Sequence, residues 1–158
     1  MDTPISRHPA DADAASLAQA GRLLALDVGD RRIGLAVSIP PGELILPAGH
    51  IQRRNRRADV AAILDAAAQR DAVAIIVGIP YDAQGRTGEQ AGKIQSLVRG
   101  LERDGSIPIL TVDESFTSQA AETALRDATP TEPPSRGDID AAAAVAILRR
   151  FMAEQEAS

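Results

Sequence analysis

The chain has 158 residues, a formal net charge of −5, 44% hydrophobic but only 2% aromatic residues, and no cysteine. That length suits one domain with a core of Leu, Ile, Val and Ala. It carries no disulfide framework or thiolate site, and its two histidines, His8 and His50, stand too far apart to suggest zinc. No apolar run is long enough to span a membrane and no secretory signal opens the chain, so the expected location is the cytoplasm.

Residues 1–20 are rich in Ala, Asp, Ser and Pro and are read as a flexible extension, with a helical turn near Ala14–Ala20. The domain proper is expected over 21–153, with a short tail at 154–158. "RLLALDVG" and "RIGLAVSI" read as two strands joined by the short turn "DRR". "ELILPAGHIQ" reads as a third strand, in which Pro47 suggests an edge or a bulge. Asn55 can cap a helix running to about Gln69, with Val60, Ile63, Leu64 and Ala67 on one face.

"AVAIIVGIP" is apolar throughout, the pattern of a parallel strand covered on both faces. The loop "YDAQGRTG" follows, and Thr87 with Gln90 forms a capping box for a helix to about Arg103. "IPILTVDE" is the next strand and "TSQAAETALRDA" the next helix. After a proline-rich loop, "DIDAAAAVAILRRFMAE" makes the last helix, opening with acids. The order βββαβαβαα gives an α/β fold: a mixed sheet of three antiparallel strands and then parallel ones, with helices on both faces.

The acidic total hides a patterned charge. Residues 1–20 carry a net −2 and the last residues, through Glu154 and Glu156, another −2, so the body is close to neutral at −1. Its arginines are clustered at Arg31–Arg32 and at Arg53, Arg54, Arg56 and Arg57. Patches of this kind matter more than totals for phosphate binding. The first pair adjoins Asp27 and is read as positioning phosphate; the second run is read as a solvated helix start. Gly29 serves equally well as a turn glycine or as a point where backbone approaches a phosphate, and Gly34 as a packing glycine.

Three acids stand where elements begin or end. Asp27 ends the first strand, Glu114 follows Asp113 at the end of "IPILTVDE", and Asp140 lies in the first turn of the last helix. Singly, each reads as a turn former or a first-turn acid. If the first and fourth strands are neighbours in the sheet, the strand-end acids converge and the last helix can deliver Asp140 beside them. Carboxylates without thiolates or imidazoles suit Mg²⁺ or Mn²⁺. Two such ions can clamp an in-line phosphodiester displacement.

"DVGDRRIGLAVS", "VGIPYDAQGRTGEQA", "DESFTSQAAE" and "DIDAAAAVAIL", in this order, resemble the YqgF family of RuvX-type Holliday-junction resolvases, also described as pre-16S rRNA nucleases. The resemblance covers about Arg22 to Phe151. It implies an RNase H-like fold of five strands with helices on both faces. It also implies a hydrolase, a metal-dependent endonuclease leaving a 5′-phosphate and a 3′-hydroxyl. Asp27, Glu114 and Asp140 match the family's catalytic, metal-binding acids. Gly29, Arg31, Arg32, Gly85, Arg86 and Arg136 are the expected nucleic-acid contacts.

The chain departs from the family pattern at Ser115, where an arginine usually follows the Asp-Glu pair. It departs again in the loop Asp82-Ala83-Gln84-Gly85 and at Ile39. The expected substrate is structured RNA, foremost the 5′ end of pre-16S rRNA in ribosome biogenesis. The alternatives are a Holliday junction in DNA recombination and repair, or RNA binding without catalysis. A nucleotide-binding, actin-like reading of the opening strand–turn–strand needs a second such half, for which 158 residues leave no room. The protein is expected as a monomer or a homodimer.

Overall fold

The computed structural model describes residues 14–41, 44–80, 88–113 and 136–157. A short helix α1 (Ala14–Ala20) leads into β1 (Arg22–Val28), β2 (Arg32–Ile39) and β3 (Leu44–Gln52). Then follow α2 (Arg56–Gln69), β4 (Ala72–Ile79), α3 (Glu89–Asp104), β5 (Ile109–Asp113) and α4 (Arg136–Ala157). The five strands form one sheet in the order β3-β2-β1-β4-β5. β1, β2 and β3 pair antiparallel, whereas β4 runs parallel to both β1 and β5. This is the mixed sheet that the alternation of apolar runs and turns predicts.

Burial follows strand alternation. Leu24, Leu26, Val28, Ile33, Leu35, Ile75, Val77 and Ile79 face α2 and α3 in one apolar cluster. Leu23, Ala25, Ala36, Ala74, Ile76 and Val112 face the other way, against Ala144, Ile147, Leu148 and Phe151 of α4 and Ala18 of α1. The first face carries large side chains. The second carries alanines on both sheet and helix, so α4 sits close to the strands. Burying residues on both faces explains why β1 and β4 read as nearly unbroken apolar runs.

β3 is an edge strand, as Pro47 suggests. Its pairing with β2 slips between Gly34 and Ala36, which oppose His50 and Pro47. Gly49 takes φ +83° at this bulge, a conformation that glycine adopts without strain. Helix α2 has the cap expected of it, the Asn55 side chain accepting from the Ala58 N–H. Helix α3 starts one residue later than a Thr87 capping box requires. Gly88 is its N-cap, with no side-chain cap bond, and glycine is tolerated there because it imposes no steric constraint. Thr87, the loop 81–87 and the helix expected over "TSQAAETALRDA" lie outside the described residues.

Candidate active site at the carboxyl ends of β1 and β4

Asp27 is the sixth residue of β1, 7% exposed, on the strand whose carboxyl end meets the β1–β2 turn. Alternation with Leu23 and Ala25 puts it on the face covered by α4. Its cross-strand partner is Gly34. The backbone of α4 fills the space a side chain would take there: a methyl group on Gly34 would overlap the Asp140 carbonyl. A glycine on β2 thus lets α4 dock opposite Asp27 through its second turn rather than the expected first, because the helix already starts at Arg136. That approach sets the Asp140 backbone against the cross-strand partner of Asp27, although the two acids are more than a hundred residues apart in the chain.

Asp140 is further held by Arg32, whose Nε donates to Oδ2 at 2.8 Å, both side chains being 21% exposed. The turn itself is tight. The Gly29 N–H donates to the Arg32 carbonyl at 2.9 Å, and a side chain on Gly29 would stand 2.9 Å from that same oxygen. Gly29, Asp30, Arg31, Arg32 and Asp140 line an open cleft of about 420 Å³. A larger cavity of about 620 Å³ lies at the opposite end of the sheet, between Leu64, Ala67, Asp71, Asp104 and Ile107. Asp30 and Asp140 meet Arg31 and Arg32 at the smaller cleft, and chemistry rather than size decides between the two.

The turn is braced from behind by Arg53, which the sequence places in a solvated helix start. The Arg53 N–H donates to the Arg31 carbonyl at 2.8 Å, and Arg53 Nη1 donates to the Gly29 carbonyl at 2.9 Å. Its Nε donates to Asp59 Oδ2 at 3.1 Å. The other Asp59 oxygen accepts from the Arg54 N–H at 3.0 Å, and Asp59 is only 2% exposed. The spacing of α2 holds a signal for this acid. Asp59 falls at helical spacing from Ile63 and Ala66, so it lies on the apolar face of the helix and needs a cationic partner.

Of the expected site residues, Gly29, Arg31, Arg32 and Asp140 line one cleft, and Asp27 lies on β1 opposite Gly34, on which the Asp140 backbone rests. Arg31 is exposed at the turn, and Arg32 is committed to Asp140. Glu114, Gly85 and Arg86 lie outside the described residues; Arg136 is the first residue of α4, its side chain outside that description. Asp113, the residue before Glu114, ends β5 at the same carboxyl end of the sheet, paired with Ile79. Among the described residues no three acids or histidines form a metal-sized cluster. The acids on this side of the sheet offer carboxylate oxygens, the ligand type that fits a hard divalent cation.

Comparison with known proteins extends this picture. A "Putative pre-16S rRNA nuclease" from Synechococcus sp. (strain JA-2-3B'a(2-13)) is 41% identical over 135 residues, 85% of this chain and 79% of that one. The protein of the same description from Roseiflexus sp. (strain RS-1) is 38% identical over 135 residues, 85% of this chain and 96% of its own. Among solved structures, RuvC from T. thermophilus in complex with a Holliday junction substrate superposes with a TM-score of 0.56 at 15% identity, covering 87% of this chain and 98% of that one. Fowlpox virus resolvase with Holliday junction DNA gives 0.53 at 9% identity, over 84% and 97%. These likenesses show the RNase H-like fold. The family model described as RuvX, Holliday junction resolvase, matches residues 21–154, and the chain belongs to that family.

Proposed function

We propose that the chain is a metal-dependent endonuclease that hydrolyses phosphodiester bonds in structured nucleic acid, with the 5′ end of pre-16S rRNA as its substrate. The observation that carries this is the docking of the α4 backbone at Asp140 on Gly34, the cross-strand partner of Asp27, which supports a shared site at the edge of an arginine-bearing turn. The description of the curated relatives supports the rRNA substrate. Asp27 and Asp140 would hold one or two Mg²⁺ or Mn²⁺ ions. Glu114 is the third proposed ligand, next in sequence to Asp113, which ends β5.

Bound there, divalent ions would activate the attacking water and stabilise the leaving oxygen. The chain's own contribution is placement. Gly34 sets the distance between the two acids, Arg32 fixes one oxygen of Asp140, and the Gly29 turn presents backbone and Arg31 to the phosphate. Gly85, Arg86 and Arg136 are proposed as further contacts to the nucleic-acid backbone. The proposed location is the cytoplasm.

A second reading, resolution of Holliday junctions, is favoured by the family description and by the junction-bound RuvC neighbour. Cutting two symmetric strands would require a homodimer, which light scattering tests; rRNA processing is compatible with a monomer. The deciding assay incubates purified protein with a pre-16S 5′ fragment and with a synthetic four-way junction, each with Mn²⁺ and with Mg²⁺. Asp27→Ala runs alongside. Cleavage of the RNA that Asp27→Ala abolishes supports the first reading, and paired nicks in the junction support the second. Salt-sensitive RNA binding with no cleavage under either metal would sink both in favour of a binding module.

A further inference from the structure

We propose that Arg54 and Arg57, at the start of α2, form with Arg31 a second contact zone for the sugar–phosphate backbone of a nucleic acid bound at the acidic cleft. This rests on the reading that the cleft receives nucleic acid. It extends the expected contacts by two arginines on a different element.

Three observations carry it. First, the two arginine runs adjoin in space. β3 ends beside the β1–β2 turn because Gln52 pairs with Arg32, and the Arg53 N–H bonds to the Arg31 carbonyl at 2.8 Å. Arg54 therefore follows directly from the back of the turn, and Arg57 stands in the first turn of α2 beyond it.

Second, among the described residues these arginines are not spent on carboxylates. Asp59 is the only acid in the first turn of α2, and it is buried. Its oxygens accept from Arg53 Nε and from the Arg54 backbone N–H, not from the Arg54 or Arg57 guanidinium groups. Arg32 is paired with Asp140, and Arg56 donates to Ser96 Oγ at 2.7 Å on α3. Arg31, Arg54 and Arg57 are exposed.

Third, this positive surface belongs to a chain with a net charge of −5. Its complement is an extended polyanion that enters the cleft and continues past the turn. Exposed guanidinium groups in a row bind successive phosphates and position the strand without reading its bases.

The test is binding of the full chain to two probes, a synthetic DNA four-way junction and a stem-loop RNA, across a salt series with metal chelated so that no cleavage intervenes. Each arginine that meets a phosphate adds about 0.7 to 0.9 to the slope of log K against log salt. Arg54→Ala/Arg57→Ala is expected to weaken binding roughly tenfold at moderate salt and to reduce the slope by about 1 to 2. Arg54→Lys/Arg57→Lys should keep most of the slope.

Arg99→Ala/Arg103→Ala is the control. It removes equal charge from exposed positions in the carboxyl-terminal half of α3, whose end lies away from the cleft, and should leave affinity and slope unchanged. The proposal fails if the α2 pair binds with the wild-type slope, if the α3 pair loses as much, or if the wild type binds neither probe in a salt-sensitive way. Wild-type binding without cleavage once metal is restored would overturn the nuclease reading and leave the contact zone standing. The probe that shows the effect identifies RNA or DNA as the polyanion.

Discussion

Two ion pairs around the turn do different work, and their burial separates them. Arg32 and Asp140 are each 21% exposed, so solvent screening limits their contribution to stability to about 1 kcal/mol or less. Arg32→Ala should therefore fold nearly as well as the wild type. Its rate of cleavage should fall at least tenfold, because Asp140 loses the partner that orients it, and Arg32→Lys should recover part of the rate. Wild-type turnover in Arg32→Ala would show that the arginine neither orients the acid nor meets the phosphate. Asp59 is the opposite case. At 2% exposure it satisfies both Arg53 and the Arg54 N–H, and removing one partner of a buried pair leaves the others unpaired. Asp59→Ala should cost about 3 kcal/mol in urea unfolding. Asp59→Asn, which keeps an acceptor for the Arg54 N–H, should cost less.

At the scale of elements, the site depends on how closely α4 lies against β2. Gly34→Ala puts a methyl group where the Asp140 carbonyl already is, and the obstacle is backbone, which cannot rotate away. The helix must lift, so the expected cost is at least about 3 kcal/mol, the upper end of overpacking penalties, together with loss of cleavage. A Gly34→Ala protein as stable and active as the wild type would show that α4 does not need this approach. The same packing shows what can be read from sequence. Strands and helix limits are legible because β1 and β4 are apolar runs bounded by turn residues, and because Asn55 marks the start of α2 by the bond it makes. Gly34 reads as a packing glycine, but what packs on it does not, since Asp140 is distant in sequence and no local rule links them. The Arg53–Gly29 brace is hidden for a similar reason. An arginine before a helix is usually solvated, and only the return of β3 alongside the turn gives Arg53 a carbonyl to hold.

For the whole molecule, the proposed metal site should appear in stability before any substrate is added. The sheet carries Asp27 at the end of an inner strand, and α4 docks its backbone at Asp140 on the strand residue opposite, Gly34. An ion that binds the folded arrangement and not the unfolded chain stabilises the fold by mass action, by about 2.7 kcal/mol at a hundredfold excess over its dissociation constant. For a chain of this size each kcal/mol moves the midpoint by roughly 2–4 °C. Mn²⁺ at that excess should therefore raise Tm by about 5–10 °C, with Mg²⁺ acting at higher concentration. Asp27→Asn/Asp140→Asn should remove the shift while keeping the fold, because asparagine matches the shape of the acid without its charge. Calcium serves as a second probe, since it also takes oxygen ligands but tolerates looser geometry. A rise in Tm that persists undiminished in the double variant would place the ion elsewhere on this acidic chain and remove the metal from the site proposed at Asp27 and Asp140.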